Sequence, residues 1–102
     1  MELNELTADS MLPLVGTIFR TEAPDGRTCD LRLIELAKGV DRHASPQLTR
    51  HPFSLIFAGP TEPGLPQATY PMHHEALGGP LPIFIVPIAR LEDGFRYEAV
   101  FS

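Results

Sequence analysis

The sequence predicts an all-β domain: a small antiparallel meander of about six short strands, closed as a compact barrel or folded as a sandwich, with a short N-terminal helix. Three observations carry this. Apolar residues alternate with polar ones over several runs of five to seven residues, the period of a half-buried strand. Eleven prolines and eight glycines fall between those runs rather than in one tract, so they read as turns punctuating short elements. The chain has 102 residues, 43% apolar and 21% charged, enough for one core and too few for two. A single domain over residues 1–102 follows.

The first element is the helix, expected over 7–15. Thr7 has the side chain to cap it, Ala8, Asp9 and Ser10 form its first turn, and Asp9 complements the positive end of its dipole. Met11, Leu14 and Val15 recur at helical spacing, and Gly16 suits the stop. Pro13 limits the helix to a turn or two, since a proline inside a helix removes a donor and clashes with the preceding turn. Such an element closes one end or face of the core.

Thr17–Glu22 reads as the first strand, and Pro24-Asp25-Gly26 as a turn. The next strand alternates Cys29, Leu31 and Leu33 against Asp30 and Arg32; at Ile34 the alternation slips, which marks a bulge. The polar stretch 39–52 is expected to be the longest loop. Phe53, Leu55 and Phe57 then share one face of a third strand. FAGPTEPGLPQATY, residues 57–70, reads as a connector into a fourth strand over Ala68–His74. Leu77-Gly78-Gly79-Pro80 turns the chain into Leu81–Arg90, where both faces are apolar, so this strand is expected to be central and covered on both sides, with the helix on one of them. Glu92-Asp93-Gly94 makes a hairpin, and Phe95, Tyr97, Ala99 and Phe101 point inward from the last strand, with Arg96 and Glu98 outward.

The composition excludes several functions. A net charge of −5, with Lys38 the only lysine, speaks against nucleic acid, whose phosphates demand a basic face. No apolar run approaches the roughly 20 residues that cross a bilayer, and MELNELTADS lacks an apolar signal core; a cytoplasmic protein that engages no membrane is expected. One cysteine, Cys29, excludes an internal disulfide.

No motif rises to a catalytic, cofactor or metal site. His73-His74-Glu75 is the most metal-like triplet, but neighbouring strand residues face opposite ways, and His43 or His51 would have to converge on it from afar. Cys29 sits in an alternating apolar set, the place of a small buried hydrophobe rather than a nucleophile. Ser54 lacks the glycines that expose a nucleophilic serine on a sharp turn. Asp30, Glu35 and Asp41 have no spacing that fixes a carboxylate pair. Gly59-Pro60 and Gly78-Gly79-Pro80 have neither the lysine nor the following helix of a phosphate loop.

Beyond these patterns, LTADSMLPLVGTIFR, PFSLIFAGP, LPQATY, LPIFIVPIAR and the terminal YEAVFS resemble, in the same order, the DUF6916 family of small bacterial proteins. The resemblance covers nearly the whole chain and implies no activity, cofactor or catalytic residue. It implies a loose association with phage-tail-collar-like or tail-fibre-like proteins. Ala68 stands where the resemblance leads one to expect glycine after LPQ, so ordinary β backbone is expected there. The functional expectation is a non-enzymatic protein-binding or assembly module whose partner is another protein, accessory to a tail-like particle, with homo-oligomers compatible. The alternative is a small-molecule-binding barrel or minor enzyme using an internal cavity or the His73/His74/Glu75 strand end.

Overall fold

The computed structural model describes residues 5–39 and 52–101. Six antiparallel strands make one sheet that curls into a nearly closed barrel: β1 (Ile18–Glu22), β2 (Thr28–Lys38), β3 (Phe53–Gly59), β4 (Ala68–Met72), β5 (Leu81–Leu91) and β6 (Gly94–Phe101). Their order in the sheet is β1-β2-β3-β6-β5-β4. Each half of the chain is therefore a three-stranded meander, and β3 pairs with β6 rather than with β4.

The N-terminal helix α1 (Ala8–Met11) forms as its cap dictates. Thr7 Oγ1 accepts from the Ser10 amide at 3.1 Å, and Ser10 Oγ accepts from the Thr7 amide at 2.9 Å, a reciprocal box that satisfies two otherwise orphaned donors. At Pro13 the chain tightens into a 3-10 turn, Leu12–Leu14. Leu6 and Met11 are fully buried in the core, so the segment closes one end of the barrel, beside β2.

The two halves are built alike, with no counterpart in the sequence. In each, a five-residue strand pairs with the first part of an eleven-residue strand. The second part of that long strand pairs with the third strand across a one-residue bulge, at Ile34 in β2 and at Ile88 in β5. The halves join along β3 and β6, where Phe57 lies opposite Tyr97. They meet again where Arg20 of β1 pairs with His73, just past β4. Both joins are antiparallel, so an approximate two-fold relates the halves. The slip expected at Ile34 is thus a bulge, which bends a long strand enough to serve two ladders.

Inside the barrel, Phe19 meets Phe57 edge-on at 5.3 Å between ring centres, and Phe53 stacks on Phe101 at 4.8 Å. Leu31, Leu33, Leu55, Met72, Ile83, Ile85 and Tyr97 fill the space around them. Close approach fixes the β3–β6 end. A Cβ on Gly94, at φ +142°, would lie 2.0 Å from the Gly59 carbonyl oxygen, and one on Gly59 would lie 2.7 Å from Leu31. Glycine alone fits at Gly94, where the clash is with backbone; at Gly59 the end of the Leu31 side chain would have to move.

Two expectations need correction. Strand β5 is not covered on both faces: Leu81, Ile83 and Ile85 are buried, but Phe84 is 50% exposed and Ile88 50%. The helix that was to cover it packs by β2 instead. Likewise, 57–70 does not turn one strand back beside the next, because β3 and β4 are not neighbours. It crosses the mouth of the barrel, with Leu65 buried beneath. The Leu65 amide donates to Tyr97 Oη at 2.9 Å, and Tyr70 Oη donates to the Pro66 carbonyl at 2.6 Å. Ala68 has ordinary strand backbone, as expected; no described residue other than glycine has positive φ. The loop expected at 39–52 lies outside the described residues but for its ends, where the Gly39 amide donates to the Pro52 carbonyl at 2.8 Å.

Candidate functional site

The strand-end histidines lie at the seam between β1 and β4. The Arg20 amide donates to the His73 carbonyl at 2.9 Å and the His73 amide to the Arg20 carbonyl at 2.8 Å. One position away, Thr21 Oγ1 donates to the Pro71 carbonyl at 2.8 Å, which satisfies the one buried polar side chain among the described residues.

His73 and His74 face opposite ways, as adjacent strand residues must. His73 is exposed, whereas His74 is half-buried with its ring 4.6 Å from that of Phe19. Both ring nitrogens of His74 are engaged. Nδ1 accepts from the Ala76 amide at 3.0 Å, which caps the 3-10 turn Glu75–Leu77. Nε2 lies 2.9 Å from Thr17 Oγ1, and that hydroxyl donates to the Leu14 carbonyl at 2.6 Å. A nitrogen that accepts from an amide carries no proton, so Nε2 holds the ring hydrogen and donates to Thr17. The side chain ties the segment after β4 to the end of the N-terminal helical segment, across 57 positions of sequence.

Outside this seam runs an open groove of about 550 Å³ lined by Thr17, Ile18, Arg20, His73, His74, Glu75 and Gly79. Its charges are already paired or dispersed. Arg20 Nε lies 3.0 Å from Asp30 Oδ1, both well exposed, and this pairing raises the arginine's pKa. No cluster of three or more histidine, cysteine or acidic side chains able to hold a metal exists among the described residues.

The remaining candidates are scattered. Cys29 is buried in β2, and burial pushes its thiol pKa up, with the Asp30 charge adding to the effect. A nucleophilic cysteine needs the opposite shift. Ser54 lies within β3 opposite Val100 and Ala37. Asp30 is committed to Arg20, and Glu35 lies past the bulge, opposite Ile56. His43, His51 and Asp41 lie outside the described residues. The role of His74 as a structural tie had no signal in the sequence, since its partner Thr17 lies on another strand's approach. The exposed side of β5 was signalled by its apolar outer residues but read as buried.

Residues 6–101 match the model of DUF6916, a domain of unknown function. The chain belongs to the DUF6916 family. The match spans the helix, all six strands and the seam, so the barrel described here is the DUF6916 domain itself. No curated protein and no solved structure matches this DUF6916 chain. No helix among the described residues is long and apolar enough to cross a membrane.

Proposed function

We propose that this DUF6916 domain is a non-enzymatic protein-binding or assembly module that works in the cytoplasm. One observation carries the reading: large apolar side chains stand on the outside of the β5–β6 hairpin. Val100 is 68% exposed, Phe84 and Ile88 50% each and Leu91 49%. Single exposed apolar residues need no explanation, but several on one two-stranded element mark a contact surface. The finer assignment, an accessory of a phage-tail-like or tail-fibre-like particle, rests on the resemblance of the sequence.

The small-molecule alternative is less favoured. His74 has neither ring nitrogen free for a ligand, and the groove beside it is open. Its test is direct. Tagged chain is incubated with lysate of the native host beside a Phe84→Ser/Val100→Ser variant whose circular dichroism is unchanged. A defined protein captured by the first and lost from the second supports the reading. A monodisperse monomer that captures nothing, or captures equally through both, overturns it.

A further inference from the structure

The outer edge of β5 differs from every other long edge of the barrel. β4 pairs only with Leu81–Ile85, the first five residues of an eleven-residue strand. Upstream of Ala68 the chain does not continue alongside β5; it turns inward at Leu65 and bonds to Tyr97. From Val86 onward β5 has β6 on one side and, among the described residues, no strand on the other. Pro87–Leu91 are all exposed. The related stretch of β2, beyond its own bulge, has α1 beside it, with Lys38 Nζ 3.7 Å from Asp9. Of two edges related by the approximate two-fold, one has the chain's own helix against it and the other, among the described residues, has no strand beside it.

A bare edge presents a row of backbone donors and acceptors, and the group that satisfies such a row is another extended chain. Resting on the protein-binding reading above, we propose that the Val86–Leu91 edge of β5 receives an extended segment of a different protein, with alternating apolar and acidic residues, as an added strand. The apolar positions meet Ala89 and Leu91, which share a face past the bulge. The acidic ones meet Arg90, whose guanidinium sits 5.6 Å from the centre of the Phe95 ring and makes no ion pair among the described residues. Pro87, which lacks an amide hydrogen, and the bulge at Ile88 confine the added ladder to a short register. The same arginine disfavours a second copy. A two-fold at Arg90 sets that residue directly opposite its own symmetry mate, and like charges directly opposite across a strand pair are destabilising.

The full chain, labelled with nitrogen-15, is titrated with a synthetic ten-residue peptide in which valine alternates with glutamate and threonine. Saturable shifts confined to Val86–Leu91 and their β6 neighbours are expected, with slowed exchange of the edge amides. The peptide with lysine for glutamate should bind roughly three- to tenfold more weakly, the scale of an exposed charge pair and its reversal. Arg90→Glu, at an exposed position, should invert that preference. The absence of any saturable shift, or shifts centred elsewhere, overturns the proposal. So does sedimentation as a dimer with these amides already protected, which makes the occupant a second copy. A lysate partner held equally well by Arg90→Glu refutes the edge while leaving the protein-binding reading intact.

Discussion

Tyr97→Phe isolates one hydrogen bond in the middle of the molecule. Tyr97 is completely buried, and its hydroxyl accepts from the Leu65 amide at 2.9 Å where 57–70 crosses the barrel mouth. Phenylalanine keeps the ring, and with it the packing against Phe95, so no large void opens. What is lost is the acceptor for a buried amide, and a buried donor left unsatisfied costs about 1–3 kcal/mol. For a domain of this size that lowers Tm by roughly 5–15 °C. Thermal unfolding followed by circular dichroism, with urea titration at unchanged m value, measures it. Hydrogen exchange places the loss, because the Leu65 amide should exchange faster in the variant while Phe57 and Leu55 amides in the β3–β6 ladder do not. A variant as stable as the parent, or one whose exchange rises evenly across the ladder, would refute the view that the hydroxyl pins this crossing.

Gly94→Ala should abolish folding or cost more than about 3 kcal/mol, because the new methyl group would occupy the Gly59 carbonyl; recovery of soluble, cooperatively unfolding protein would contradict this. His74→Ala removes the acceptor of the Ala76 amide and the partner of Thr17 and should cost about 1–3 kcal/mol, while nitrogen-15 shifts of the parent should report the ring hydrogen on Nε2. In the folded chain Cys29 should resist thiol reagents that modify it in urea. Burial holds the Cys29 thiol and the Tyr97 and Tyr70 hydroxyls above their ordinary pKa ranges, so as pH rises the unfolded chain loses these protons first. Their contribution is intact below the ordinary thiol value of about 8.5 and is lost as pH rises past the ordinary phenol value of about 10 towards the raised folded values. Denaturant midpoints should fall across that alkaline window, less so in Cys29→Ala.

Much of the architecture is written locally and is legible there. Thr7 with Ser10 three residues on caps a helix that Pro13 cuts short, and the slip at Ile34 is a bulge because period-2 alternation has no other way to change faces. Pairing between β3 and β6 is not local. Nothing near Phe57 names Tyr97 as its neighbour, and the likeness of the two halves is one of hydrogen-bond pattern, carried by different side chains. The outer side of β5 was misread because apolar composition reports what a strand tolerates beside it, not whether anything is there. His74 was hidden for a related reason, since its environment is made by Thr17, Phe19 and Leu14, all from the other half of the chain.

The seam at Arg20 and His73 carries a consequence for motion. β3 and β6 hold each other along seven paired residues, whereas the β1–β4 side is joined by a single bridge, the Thr21 hydroxyl and the His74–Thr17 bond. A shell joined so unevenly opens at its weak side first, each three-stranded leaf staying whole while the long ladder serves as hinge. Native-state exchange under mild denaturant would then find the Arg20 and His73 amides released together, well before those of Phe57 and Tyr97. Breathing of that kind wets Phe19 and Phe57 from one side only.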